Sequence, residues 1–301
     1  MRAPVGIAAT VPNWIGPTLG VGLALGAACV AYGVLLERRW YRASSYRVAV
    51  LPANATPVRI LHLSGMHFVE GDRAKGAFLR GLEQADLAIV TGDMLGDPDG
   101  VDDVIQALRP VRGRLGSYFV LGSNDYWAPQ PLNYLNYFRR ERAQRAGTRG
   151  RGDELVRRLE ADGWVHLENA KARVANDGVA FEILGLDDPH VEYHDLRVAP
   201  RTDPGAVGLA VVHSPDPTPE LVALGYQMIV SGHTHGGQVR MPLVGALVTN
   251  SDVPRRLAMG LSRFGDAYLH VSPGLGTSKY APFRFLCRPE ATYLELVARG
   301  N

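Results

Sequence analysis

Residues 227–238 read Gln-Met-Ile-Val-Ser-Gly-His-Thr-His-Gly-Gly-Gln, an apolar run that breaks into a glycine-rich loop carrying His233 and His235. Two histidines two positions apart, flanked by glycines, suit a tight loop that aims both rings the same way. The pattern recurs upstream. VRILHL (58–63) runs into Ser64-Gly65-Met66-His67, LAIVT (87–91) into Gly92-Asp93, SYFVL (117–121) into Gly122-Ser123-Asn124-Asp125, and LAVV (209–212) into His213-Ser214-Pro215-Asp216. Each short apolar run reads as a buried strand and each polar cluster as the loop that follows it. Helical stretches alternate with these runs at Arg73–Gln84, Val101–Leu108, Asp153–Asp162 (closed by Gly163) and Pro219–Leu224. Further strands are expected at Val179–Leu186, Val207–Val212, Gln227–Val230, Ala267–Val271 and Thr292–Val297. The alternation predicts an α/β fold with a strand-rich C-terminal end.

Composition narrows the function. The 301 residues are 46% hydrophobic and 21% charged, which excludes a disordered or collagen-like chain and a multi-span membrane protein. With 32 Lys+Arg against 30 Asp+Glu the net charge is +2, which gives no global electrostatic case for nucleic-acid binding. The two cysteines, Cys29 and Cys287, build neither a disulfide framework nor a thiolate zinc site. A metal centre here must use His, Asp and Asn.

The charge is unevenly spread. Residues 1–36 carry one charged side chain, Arg2, and Ile15 to Leu36 is uncharged. As a helix that run extends about 33 Å, enough for a bilayer core. Trp14 and Trp40 flank it at the level where tryptophan favours headgroups. A cleaved signal peptide fits less well: the n-region has only Arg2, and no small-x-small site ends the run. The segment therefore reads as a retained N-terminal anchor (1–36), followed by a linker (37–56) and one catalytic domain (57–301). Arg38, Arg39, Arg42 and Arg47 follow the run, and the positive-inside rule places the body in the cytoplasm. Ala128–Gly152 departs from the α/β rhythm, with Tyr134, Tyr137, Phe138, Arg139, Arg140, Arg142, Arg145, Arg149 and Arg151. Such a charge run is read as a solvated insertion, with a cap over an anionic substrate as the alternative.

Strand ends of a parallel sheet share one edge, and ligands bind in the crevice there. The five loops would bring His67, Asp93, Asn124, His213, His233 and His235 together. Mixed imidazole, carboxylate and amide donors suit Mn, Fe or Zn, and a pair of ions needs a bridging carboxylate, for which Asp93 is the natural candidate.

At these residues the sequence resembles the calcineurin-like metallophosphoesterases, whose pattern is Asp-x-His, Gly-Asp, Gly-Asn-His-Asp, a lone His, then Gly-His-x-His. The resemblance spans residues 58–298 and is closest to the membrane-anchored bacterial phosphodiesterases, through HTHGGQ (233–238), GLDDPH (185–190) and FRFLCRPEAT (283–292). It implies a sandwich of two mixed sheets flanked by helices. It also implies one metal on His67, Asp93 and His235 and a second on Asp93, His213 and His233, with a metal-activated water hydrolysing a phosphate ester. Two positions depart from the pattern. Gly65 stands where the family has its first aspartate ligand, and Ser123-Asn124 stands where it has Asn-His. Asn124 is preferred over Ser123 as a ligand, and the usual leaving-group acid is missing at Asn124. His213 would help hold developing charge, and Asp125 would order the loop through backbone amides. Glu70 or Asp72 are the nearest carboxylates to stand in for the lost aspartate, and Asp187 and Asp188 divide evenly between site and turn roles. The resemblance thus implies a membrane-anchored phosphodiesterase acting on a lipid-linked or nucleotide-like phosphate ester. Its rival is a pseudoenzyme or binding module, favoured by Gly65 and opposed by the intact histidines.

Overall fold

The computed structural model describes residues 15–129 and 148–300. In chain order its elements begin with helix α1 (Ile15–Leu35), strands β1 (Arg42–Leu51) and β2 (Val58–Leu63), α2 (Arg73–Arg80) and β3 (Leu87–Thr91). They continue with α3 (Val101–Leu108), β4 (Gly116–Val120) and the single turn α4 (Ser123–Tyr126). Next come α5 (Gly152–Ala161), β5 (Val165–His166), β6 (Ala170–Asn176) and β7 (Val179–Leu186). The chain closes with β8 (Val207–Val212), α6 (Thr218–Ala223), β9 (Met228–Ser231), the short pair β10 (Arg240–Met241) and β11 (Gly245–Ala246), β12 (Gly260–Phe264), β13 (Ala267–Val271) and β14 (Glu290–Ala298).

The strands form two six-stranded mixed sheets, in the orders β1-β14-β2-β3-β4-β5 and β12-β13-β9-β8-β7-β6. Period-two alternation explains how they pack. On β3, Leu87 and Ile89 face the second sheet, where they join Ile60, Val120, Phe181, Ile183, Leu209, Val211 and Val230 in the layer between the sheets. Ala88 and Val90 face the other way, onto a cluster with Leu79 of α2, Val104 and Leu108 of α3, and Leu155 and Leu159 of α5. The outer face of the second sheet packs Ala210, Val212 and Ile229 on Leu221 and Tyr226. Both faces of the central strands are covered, which is why their sequences are continuously apolar.

The stretch 37–56, expected to be a linker, is structured. Glu37–Arg39 forms a 3-10 turn, and β1 pairs in parallel with β14 along Arg42–Leu51. Its sequence, RASSYRVAVL, conceals the strand because β1 is an edge: its first six residues alternate between partly buried and exposed and carry Arg, Ser and Tyr. Helix α2 ends at Arg80, before the expected Gln84, because Gly81 terminates it and Glu83 turns to accept the hydroxyl of Tyr293 at 2.8 Å. Helix α5 stops before Gly163, which adopts φ +85°. Residues 130–147, with most of the expected Arg-rich insertion, and residues 1–14, with Arg2 and Trp14, lie outside the described residues. Arg149 and Arg151 are described, and they pair with Asp153 and Glu154 on the adjacent helix.

Helix α1 is long and apolar enough to cross a membrane, and most of its described side chains are exposed. Val21, Leu23 and Leu25 are more than half exposed. Its C-terminal end meets the body, with Gly33 against Phe283 and Tyr32 edge-on to Phe285 at 6.3 Å. The Glu37 carboxylate then accepts the backbone amides of Leu286 and Cys287.

Phe181 is fully buried between the sheets, away from the strand-end loops. Phe181→Ala should cost about 3–5 kcal/mol of stability, read by denaturant unfolding, while leaving metal binding intact at low temperature.

Candidate metal centre

The site lies where both sheets end. Glycines make that convergence possible. Gly232, after β9, sits so close to the loop after β2 that a Cβ there would fall 1.8 Å from Ser64 Oγ. Gly122 packs on Asp93 and His213, and Gly92 on Gly122 and His213. Four of the site residues hold left-handed backbone: His67 (φ 45°), Asp93 (53°), His233 (64°) and His235 (50°). Such conformations cost non-glycine residues about 1–3 kcal/mol each and collect at functional sites. The turns here serve side-chain direction at the expense of local stability.

All six expected residues meet. Asp93 is central. Its carboxylate accepts the backbone amide and the side-chain amide of Asn124, at 2.9 and 2.8 Å. His67 Nε2 lies 3.5 Å from one oxygen and His213 Nε2 3.6 Å from the other. His67 Nε2 and His235 Nε2 face each other at 3.0 Å, and His233 Nδ1 lies 3.3 Å from His213 Nε2. His213 Nδ1–H donates to the Thr91 carbonyl at 2.7 Å, and His233 Nε2–H to the Asn250 carbonyl at 3.1 Å. Donor nitrogens this close and this buried make a cation-binding cradle, and among the described residues His67, Asp93 and His235 bring ligand atoms within 4.8 Å of one another.

Burial sets the charge states. Burial pushes His67 down to about 4 and, with His190 and His213 nearby, His233 down to about 3. His235 is also held well below the usual histidine range, first by burial and then by His67 and Arg284. Neutral imidazoles are the form that binds metal. His213 differs: burial pulls it down, but Asp93 and Asp188 outweigh that and raise it. Burial alone would raise Asp93, and the surrounding histidines and the Asn124 amide reverse this and keep it ionised.

The remaining expected residues occupy supporting places. Asp125 is fully buried and accepts the amides of Gly122 and Leu95 at 3.0 and 2.9 Å, tying two site loops together. Burial, and then Asp93, push it up to about 7. Asp188 is pushed up to about 6 by burial; one of its oxygens accepts His190 N–H and the other has no partner. Asp187 accepts the Tyr126 hydroxyl at 2.7 Å. Neither carboxylate named as a stand-in for the lost aspartate reaches the site. Glu70 is exposed, and Asp72 caps α2 and pairs with Lys75 at 2.7 Å.

Several neighbours were not named as site residues from the sequence, although His190 lies in the quoted GLDDPH. His190 packs its ring on His233 at 4.4 Å. Lys75, buried, donates to the His67 carbonyl at 3.2 Å. Arg284, fully buried, reaches His235 Nδ1 with Nη2 at 3.3 Å across 49 positions of chain. Only the quoted tail FRFLCRPEAT pointed to Arg284.

Two packed mixed sheets thus carry at their shared end a His/Asp/Asn cradle suited to a borderline divalent ion. No protein-family profile matches the chain. Curated relatives do. Phosphodiesterase YaeI of Escherichia coli (strain K12) is 28% identical over 267 residues, 87% of this chain and 90% of its own length. The uncharacterized metallophosphoesterases YkuE and YkoQ of Bacillus subtilis (strain 168) are 27% and 26% identical, over 70% and 82% of this chain and 68% and 86% of their own. Over most of its length the chain is thus similar to proteins named as a phosphodiesterase and as metallophosphoesterases, which supports a phosphoric ester hydrolase.

Because His213 must shed a proton whose pKa is raised, metal affinity should rise with pH through and just above the usual histidine range. The slope should approach about tenfold per pH unit while His213 is protonated, measured by calorimetric Mn titration at several pH values. Asp93→Asn should abolish binding.

Proposed function

We propose that this chain is a membrane-anchored, metal-dependent phosphodiesterase whose substrate carries an apolar or nucleotide-like group. The observation that carries the hydrolase reading is the gathering of four imidazoles around the ionised carboxylate of Asp93, at the shared end of two sheets. A divalent metal bound there supplies a hydroxide at neutral pH and withdraws charge from the phosphoryl oxygens.

The protein's own groups do the rest. Thr91 and Asn250 fix the tautomers of His213 and His233, so that His213 Nε2 and His233 Nδ1 present lone pairs. Asn124 donates twice to Asp93, which fixes the carboxylate plane, and Asp125 holds the Asn124 turn through Gly122 and Leu95. His213 lies where it would stabilise charge that develops on the phosphoryl group. Asn124 has no proton to give at neutral pH, so this site favours esters with good leaving groups.

Two features support anchoring. Helix α1 is exposed along most of its length, and its run of Val, Leu and Ala would be unfavourable in water. Arg38, Arg39 and Arg42 follow it immediately, which supports a cytoplasmic body. The pseudoenzyme alternative rests on Gly65 alone.

With added Mn, the full-length chain should hydrolyse bis-p-nitrophenyl phosphate. His233→Ala should lower turnover more than the roughly 10–100-fold typical of lost outer partners. No turnover with metal bound would favour the binding-module reading. The body should resist added protease in intact spheroplasts and be cut in inverted vesicles; the opposite pattern would reverse the orientation.

A further inference from the structure

We infer that the β10–β11 hairpin is a second membrane contact. Its tip, Leu243 and Val244, inserts into the lipid interface beside the last turn of α1 and holds the His233–Gln238 loop at the bilayer surface. This rests on the membrane-anchored reading above and extends it from one element to two.

The tip of the hairpin is apolar. Residues 241–247 read Met-Pro-Leu-Val-Gly-Ala-Leu. Met241, Leu243, Val244 and Leu247 are exposed, Leu243 completely and Val244 by 67%. Single exposed apolar side chains are ordinary, but four on one short hairpin form a patch, and such patches mark interaction sites. Leu243 also holds left-handed backbone, with φ +66°. Glycine or asparagine adopts that conformation more readily. A leucine there presents an apolar side chain to the outside at a local cost in stability.

The place of the hairpin selects its partner. Arg240, the first residue of β10, donates its N–H to the Phe285 carbonyl at 2.9 Å. The Phe285 ring meets Tyr32, in the last turn of α1, edge-on at 6.3 Å, and the next residue, Leu286, is exposed. Three apolar elements therefore adjoin: the end of α1, the 283–286 loop and the hairpin. The flanking charge is positive. Arg240 lies in the hairpin, no carboxylate stands between Gln238 and Asp252, and the exposed Arg255 donates to the Leu247 carbonyl at 3.2 Å. On the α1 side, Arg288 stacks on the exposed Trp40 at 4.0 Å. An apolar tip with arginine and tryptophan around it suits the interface of an anionic bilayer.

The hairpin is also built onto the metal-centre loop. Arg240 Nη1 donates to the Gly236 carbonyl at 2.9 Å. Gly237 packs so closely on Ala246 of β11 that a Cβ there would fall 2.5 Å from the alanine Cβ. A hairpin seated in lipid thus holds this loop at the surface where a lipid-linked phosphate ester is presented.

Spin labelling of the full-length chain in phosphatidylcholine–phosphatidylglycerol vesicles tests this. The background is Cys29→Ser, in which the remaining Cys287 is buried. Labels are attached through Leu243→Cys, through Leu25→Cys in α1, and through Ala175→Cys. Ala175 is exposed on β6 opposite the start of β7, at the end of that sheet away from the metal centre. Collisions with oxygen, which concentrates in lipid, and with a water-soluble nickel chelate report depth. The label at 243 should lie roughly 5–10 Å into the headgroup and acyl boundary, with 25 in lipid and 175 in water. Circular dichroism melting confirms each fold, and Val244→Cys serves as a second reporter if Leu243→Cys unfolds. A label at 243 as open to nickel as 175, with 25 in lipid, would overturn the hairpin contact and leave the anchor standing. A label at 243 shielded from both reagents, with spin–spin broadening that fades on dilution with unlabelled chain, would place a second copy there and overturn it too. Labels at 25 and 243 both in water would overturn the anchor as well.

Discussion

Everything about this site depends on two sheets coming close enough at one end for their loops to touch. Gly232 against Ser64 makes the contact, with no room for a methyl group between them. Gly92 and Gly122 do the same among the loops after β3, β4 and β8. Side-chain layers normally keep packed sheets about 10 Å apart. Closing that distance at one edge requires residues without side chains, and the space gained there is filled by imidazoles. The left-handed backbones of His67, Asp93, His233 and His235 follow from it, because chains leaving the strands must turn at once to aim inward.

Much of this was legible from the order of residues. The five apolar runs that end in His, Asp or Asn are five strands that end at the site, because continuous apolarity marks strands covered on both faces. The sequence could not reveal that these strands divide between two sheets, since strand pairing is not written in local periodicity; the family resemblance supplied it. The strand β1 was hidden by its polar, edge-like composition. Arg284 was hidden for another reason. It meets His235 because β14 returns beside β2, and the periodicity near Arg284 does not foretell that, although the tail FRFLCRPEAT drew notice through the resemblance.

Gly65 looked from the sequence like a simple subtraction from a two-metal site. In the structure other groups surround this position. The His235 ring lies over Gly65, and the buried Arg284 guanidinium stands 3.3 Å from its Nδ1. Restoring an aspartate at 65 would have to displace that ring, although φ +48° is a conformation aspartate tolerates better than most residues. On the other side of Asp93, His213 and His233 each donate to a backbone carbonyl, of Thr91 and Asn250.

The structured segment after α1 also sets the reach of the protein. Residues 36–41 are all that separates the end of α1 at Leu35 from the start of β1 at Arg42. Fully extended, they span roughly 20 Å, and the 3-10 turn and the Glu37 contacts shorten this further. If α1 is held in a bilayer, a body on so short a tether cannot sample the surrounding solution. If α1 spans a bilayer, the enzyme searches for substrate in two dimensions, over whatever lies on or passes along the membrane surface. Its orientation to that surface is then fixed by the same loop, 283–287, that carries Arg284.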